Sequence, residues 1–269
     1  MTRLTLSFLP FANRSLLWQF ARREVLGRYR GSLLGLAWSF LLPLLMLGVY
    51  SFVFVGVFRA RWPGGANGGG GLEFAVQVFA GLVVFNLFAE VAGRSPNLIV
   101  EQPNLIKKVI FPVELLTWVT ILSGLFHLLI GLFSLSIVLL LVRGSFPLTA
   151  LALPLVLFPF LPFLLGLGWF LSALGVYLRD VAQMMAMIVT FTMFMSPVFY
   201  SVSTLDPSWQ FWMNLNPLTM IIEQVRAVLL QGQWPNWIGL GWYTLLASGF
   251  AVAGALFFQA TREGFADVL

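Results

Sequence analysis

The sequence predicts an all-α membrane protein, with six transmembrane helices preceded by an N-terminal amphipathic helix. Three observations carry this. Of 269 residues, 59% are hydrophobic and 9% charged, against roughly 25% charged in a soluble domain. So small a polar complement cannot cover a soluble fold of this length. The mean hydropathy is +0.93. The apolar residues also gather into long runs, and about 20 such residues in a helix cross the hydrocarbon core.

Residues 1–33 form a basic preamble with Arg3, Arg14, Arg22, Arg23, Arg28 and Arg30. Within it Leu17, Trp18, Ala21, Val25 and Tyr29 recur at helical spacing, while Gln19, Arg22, Arg23 and Arg30 point elsewhere. That is the pattern of a helix lying in the membrane interface with its arginines toward phosphate. A soluble cytoplasmic helix is the plain alternative. The first long apolar run begins near Leu33 with no small-residue cleavage site behind it, so it reads as a retained span and not a signal.

The first span covers about 34–58, and Pro43 predicts a kink in it. Residues 59–72 carry Arg59, Arg61 and the tract Gly64 to Gly71, which reads as a flexible linker. The tract lacks the Lys-Ser/Thr pair of a phosphate-binding loop. The second span covers about 73–92, followed by a polar stretch at 93–114 that holds the only two lysines, Lys107 and Lys108. The third and fourth spans cover about 116–142 and 148–177. A turn at Arg179-Asp180 leads to the fifth, about 182–200. Residues 201–236 are too broken to span and read as short amphipathic or re-entrant helices. The sixth span covers about 237–259, and 260–269 form a tail.

Orientation follows from the cations. An inside N-terminus places Arg3, Arg14, Arg22, Arg23, Arg28, Arg30, Arg94, Lys107, Lys108, Arg179 and Arg262 on the inner side. It leaves Arg59, Arg61, Arg143 and Arg226 outside. Eleven against four favours this orientation, and an even number of spans puts the C-terminus inside as well. The basic residues lie near membrane borders, so the net charge of +5 points to anionic lipid and not to nucleic acid. The chain has no cysteine, which excludes disulfides, thiolate metal sites and cysteine nucleophiles.

Chemistry-bearing residues are few. Ionisable groups inside a membrane are the first functional candidates. Glu73 and Glu90 fall near the ends of the second span, within reach of water, and His127 lies inside the third without an evident partner. A lone histidine there reads as a helix-packing hydrogen bonder. No Ser/His, Asp/Asp or HExxH constellation suggests a protease, and no metal site is expected. No GxxxxGK[ST] occurs, so ATP-driven transport would need its ATPase on another chain. Aromatics are abundant at 16%. Most suit lipid contact and interfacial belts; some suit sugar rings, whose C–H faces pack on π-faces.

Several motifs, taken in order, resemble the permease subunits of type 2 ABC exporters, in the branch that exports polysaccharides such as O-antigen and teichoic acid. The run from Arg22-Arg23-Glu24 through Arg28-Tyr29-Arg30-Gly31-Ser32-Leu33-Leu34-Gly35 to Trp38-Ser39 is similar to that family's entry into its first span, with Pro43 following. Glu24 stands where the family more often has Asp, and the first outer loop is unusually rich in glycine. Pro103-Asn104-Leu105-Ile106-Lys107-Lys108-Val109-Ile110-Phe111-Pro112 resembles its second cytoplasmic motif. Arg179-Asp180-Val181, Ser196-Pro197-Val198-Phe199-Tyr200, Asn216-Pro217-Leu218 and the terminal Phe265-Ala266-Asp267-Val268-Leu269 complete the set.

The resemblance covers nearly the whole chain and implies one transmembrane domain over 1–269, in a bacterial inner membrane. It implies a homodimer with two ABC ATPase subunits, which hold the ATP and Mg²⁺; this chain itself is expected to bind no cofactor. It implies substrate entry at Arg22, Arg23, Arg28, Tyr29 and Arg30. A conduit lined by Trp38, Phe40, Tyr50, Phe54, Phe191, Phe194, Phe199 and Tyr200 is implied next. A coupling helix within 94–108 would offer Arg94, Asn97, Glu101, Asn104, Lys107 and Lys108. An outer gate within 201–236 would use Trp209, Trp212, Asn216, Pro217, Glu223 and Arg226. The cargo would be a lipid-linked polysaccharide. The same motifs leave open a drug or lipid exporter of the same superfamily, and a channel independent of ATP.

Overall fold

The computed structural model describes residues 13–59, 62, 71–103 and 112–268. Among them every regular element is helical, as lipid demands of backbone with no water to bond. Helix α1 is Arg14–Tyr29, α2 Trp38–Tyr50, α3 Gly71–Arg94 and α4 Leu115–Arg143. A short α5, Leu153–Leu157, precedes α6, Phe160–Tyr177. Then come α7 Asp180–Phe194, α8 Pro207–Leu215, α9 Pro217–Arg226, α10 Trp237–Arg262 and α11 Phe265–Val268.

Five stretches are long and apolar enough to cross a membrane: Gly35–Phe54, Leu72–Asn97, Leu115–Leu141, Leu148–Tyr177 and Trp237–Arg262. They match the expected first, second, third, fourth and sixth spans. The expected fifth span, 182–200, is a shorter helix. The 15 residues of α7 rise about 22 Å, less than the roughly 30 Å of a bilayer core, before the chain turns at Ser196-Pro197.

The spans differ sharply in burial. The window within Leu72–Asn97 is 83% buried, against 11% for Gly35–Phe54 and 17% for Trp237–Arg262. Helix α3 is therefore the centre of the packing, and its neighbours α4, α6 and α9 surround it. Small residues allow the closest approaches. A Cβ on Gly131 would lie 2.9 Å from Val83 of α3. One on Gly166 would lie 2.7 Å from the Phe250 carbonyl, which brings α6 against α10 backbone to backbone.

Helix α1 packs on α4 through two residues of the predicted stripe. Leu17 and Ala21 are buried against Val119 of α4, whereas Trp18 is exposed. Within the linker expected at 59–72, the described residue Trp62 packs on α3. Trp62 is buried, its ring 5.5 Å from Phe74; residues 63–70 lie outside the described residues. The tail also packs, with Phe265 buried against Phe258 and Tyr177.

Candidate functional site

The site grows out of a polar cluster where α1, α3 and α4 meet. Helix α3 ends in Arg94 and carries Glu90 one turn earlier. Arg28, in the last turn of α1, donates from Nη2 to Glu90 Oε1 at 2.7 Å. His127 Nδ1 lies 2.9 Å from Glu90 Oε2, to which it donates when it carries the proton, and 3.2 Å from Arg28 Nη1. Arg94 pairs with Glu24 of α1 and stands 3.7 Å from Glu90 Oε1. Gly124, one turn before His127, lets the helices close: a Cβ there would meet Leu87 at 2.6 Å.

The histidine read as partnerless thus has a carboxylate partner 37 positions away. Helices α3 and α4, which carry Glu90 and His127, pack together and bring the two side chains into contact. The available signal was that each is an ionisable group within one of two successive apolar spans.

The cluster forms one wall of a cavity of about 340 Å³ between α1, α2, α3 and α4. Arg28, Tyr29, Ser39, Pro43, Tyr50, Asn86, Glu90 and His127 line it, with Leu82, Leu87, Met46 and Met193 between them. A second, more open groove of about 500 Å³ is lined by Arg23, Gly27, Tyr29, Arg30, Gly35 and Leu36. Tyr29 is common to both. Burial pushes its hydroxyl above the ordinary tyrosine range, with Arg28 pulling it back. Of the five expected entry residues, Arg28 and Tyr29 reach the cavity, Arg23 and Arg30 the groove outside it, and Arg22 neither. Arg23 lies over the Phe20 ring, 5.0 Å from its centroid.

The expected conduit aromatics divide. Phe199 gathers Tyr50, Phe54 and Phe194 at 6.1, 5.7 and 5.8 Å between centroids. Tyr200 follows Phe199 and donates its hydroxyl to the Phe194 carbonyl. Trp38 is half-buried, Phe40 meets Phe133 edge to face, and neither joins that cluster. Phe191 faces another groove, of about 610 Å³, with Trp209 and Trp212.

In the expected coupling region, Arg94 is paired as described, and Asn97 accepts at its carbonyl from the Glu101 N–H at 2.9 Å. Pro96 is buried against α6 at Gly175, where a Cβ would collide with its carbonyl. Glu101 is exposed. Asn104, Lys107 and Lys108 lie outside the described residues.

Of the expected gate residues, Trp209 and Trp212 are exposed on α8. Asn216 joins two motifs far apart in sequence: it donates to the Met195 carbonyl and Ser196 Oγ and caps α9 by accepting from Leu218 N. Pro217 occupies the first turn of α9. Arg226, also expected in the outer gate, is fully buried. It donates to the carbonyls of Gln77, Pro197, Val198 and Tyr200 and to Glu223, and lies 4.6 Å over the Trp62 ring. Gly81 provides its space, since a Cβ there would stand 2.8 Å from Nη2. Burial lowers its pKa to about 10, so it stays cationic at neutral pH. Burial also pushes the Glu223 carboxyl up, against the opposing pull of Arg226. Among the described residues no His, Asp and Glu group is arranged to hold a metal ion.

A basic helix leading into a cavity beneath a tightly packed helical core suits the handling of a membrane-borne anion. The ABC-2 type transporter model matches residues 15–230. The chain belongs to the ABC-2 type transporter family. This ABC-2 chain is also similar along its length to curated relatives. It is 29% identical over 257 residues to the O-antigen export system permease protein RfbA of Myxococcus xanthus, covering 94% of this chain and 95% of that protein. It is 24% and 22% identical to two proteins of the same description from Klebsiella pneumoniae, with the same coverage. As an ABC-2 family member it is a multi-pass membrane transport subunit.

Proposed function

We propose that this protein is the permease subunit of an ATP-driven exporter that carries a lipid-linked, O-antigen-like polysaccharide out of the cytoplasm. The observation that carries the reading is similarity along 94% of the chain to permeases named for O-antigen export. The geometry supports it. A lipid-linked polymer has an anionic pyrophosphate and a long hydrated chain, neither of which enters hydrocarbon unaided. Arg23 and Arg30 at the outer groove and Arg28 at the cavity attract the phosphate as charge-assisted donors. The aromatics around Phe199 offer repeated weak stacking to sugars.

Six spans per chain, with α7 and the turn after it making the fifth crossing, make half of a symmetric pathway. The working unit is accordingly a homodimer in the bacterial inner membrane, with both chain ends in the cytoplasm. Two ABC ATPase subunits carry ATP and Mg²⁺ and dock at 94–108, where Arg94, Asn97, Glu101, Asn104, Lys107 and Lys108 supply contacts. The outer gate is the segment 201–236, with Trp209 and Trp212 exposed and Asn216, Pro217, Glu223 and Arg226 holding its base.

The test is reconstitution. Purified with its ATPase partner in liposomes, the chain is expected to translocate a polyprenyl-diphosphate-linked polysaccharide only with ATP. ATP-independent flux by the chain alone, or failure to associate with an ATPase, sinks the reading.

A further inference from the structure

Four charged side chains and one imidazole meet where α1, α3 and α4 join, three of them (Arg28, Glu90 and His127) at the cavity, and their pairing is uneven. Arg94 and Glu24 form a direct pair. Glu90 is shared: Oε1 receives Arg28 at 2.7 Å and lies 3.7 Å from Arg94, while Oε2 faces His127 at 2.9 Å. One carboxylate therefore brings together an arginine from α1 and a histidine from α4. The Arg28 side chain remains 41% exposed and His127 20%. Both donors border the cavity, so an outside anion can reach them.

A second observation marks the cavity as a binding space. Asn86 lies one turn from Glu90 on α3, is exposed in an otherwise buried helix, and borders the same cavity. An amide presented to an open cavity within an apolar span is placed for a polar ligand, because a purely packing face would carry an apolar residue there.

We propose that Glu90 is an internal stand-in for the phosphoryl group of the lipid-linked substrate. It holds Arg28 and His127 while the entry is empty, and moves toward Arg94 when a phosphate takes its place. The inference rests on the substrate class proposed above and adds a competitor and a consequence. A phosphate oxygen accepts from an arginine and an imidazole N–H as a carboxylate does, with more charge. Arg94 is already within 3.7 Å, so a displaced Glu90 keeps a cationic partner, and its desolvation is not left uncompensated. Arg94 also opens the stretch proposed for ATPase docking, so the exchange reports an occupied entry to the ATPase.

The experiment uses the full permease–ATPase complex in phosphatidylcholine nanodiscs, titrated with polyprenyl diphosphate, with ATPase stimulation as readout. Glu90→Gln removes the competing charge and is expected to lower the half-saturating concentration about tenfold, the scale of one charge-assisted hydrogen bond. His127→Gln removes a donor to the phosphate and is expected to raise it. Opposite shifts support the exchange, because a merely structural cluster moves both variants the same way. Parallel shifts, or no shift with Glu90→Gln, overturn it. Thermal stabilisation of the purified chain by the same lipid gives a second reading that needs no ATPase, with the same opposite shifts expected. If phosphatidylglycerol without polyprenyl diphosphate stimulates equally, the site reads bulk lipid and the proposal also fails. Loss of the proposed function would instead appear as absent ATP-dependent export by the wild-type complex. Intact export with parallel shifts removes the exchange alone.

Discussion

Arg28 and Arg226 are the same residue in opposite circumstances. Arg226 has no exposed side-chain surface, and its donors end on four backbone carbonyls and one carboxylate. Arg28 is 41% exposed, and its contacts are the ionisable side chains of Glu90 and His127. Backbone carbonyls are fixed by the helices and turns that carry them, so Arg226 is a permanent joint tying α3, α9 and the Ser196-Pro197 turn. Side chains with alternative partners can move, so Arg28 sits in a site that can exchange. Burial and partner type separate a structural cation from a functional one where charge alone does not.

Substitution at the joint gives the largest expected effect. Arg226→Ala strands buried carbonyls around an empty space and is expected to cost about 3–5 kcal/mol, seen as loss of folded protein in detergent thermal unfolding. Arg226→Lys is expected to fail nearly as badly, because one ammonium cannot reach acceptors spread around a planar fork. Recovery of a wild-type melting temperature by either variant would remove the distinction between the two arginines.

An intermediate case sharpens the contrast. Glu114 is fully buried at the start of α4, and its partner is Arg262 at the end of α10, 3.3 Å away and 40% exposed. Arg262→Ala leaves that carboxylate unpaired but lets water approach. The expected loss is about 1–2 kcal/mol, between the extremes, measured in the same unfolding assay.

Arg28→Ala is expected to change stability by no more than about 1 kcal/mol, as for exposed ion pairs, while export in proteoliposomes falls about tenfold or more. Unchanged export would take Arg28 out of substrate capture and return it to a surface anchor. The smallest effect belongs to Glu223, outside the candidate spans. Burial raises its carboxyl, so the protonated form is favoured by folding. Stability from this group is present below the ordinary value of 4.5 and is lost as pH rises through the raised one. Glu223→Gln is therefore expected to be neutral or slightly stabilising at pH 7, with wild type gaining on it as pH falls. A clear loss at pH 7 would make the Glu223–Arg226 pair, and not the four carbonyls, the centre of the joint.

The sequence by itself determined the helical class, the positions of five spans and the basic character of α1. Hydrophobic runs report directly on lipid, and helices are the local way to satisfy a backbone there. It also singled out Arg28 and Tyr29, which the structure puts beside one cavity, and Asn216 and Pro217, which stand at the start of α9. It did not determine who meets whom. The Glu90–His127 pair, the clasp of Asn216 on Ser196 and the burial of Arg226 all join residues on different elements. Such pairings depend on which helix faces turn toward each other, and periodicity along one chain segment carries no record of that. Tertiary packing alone made one arginine a joint and left the other open to exchange, because packing decides which cations lose their water and which keep a choice of partner.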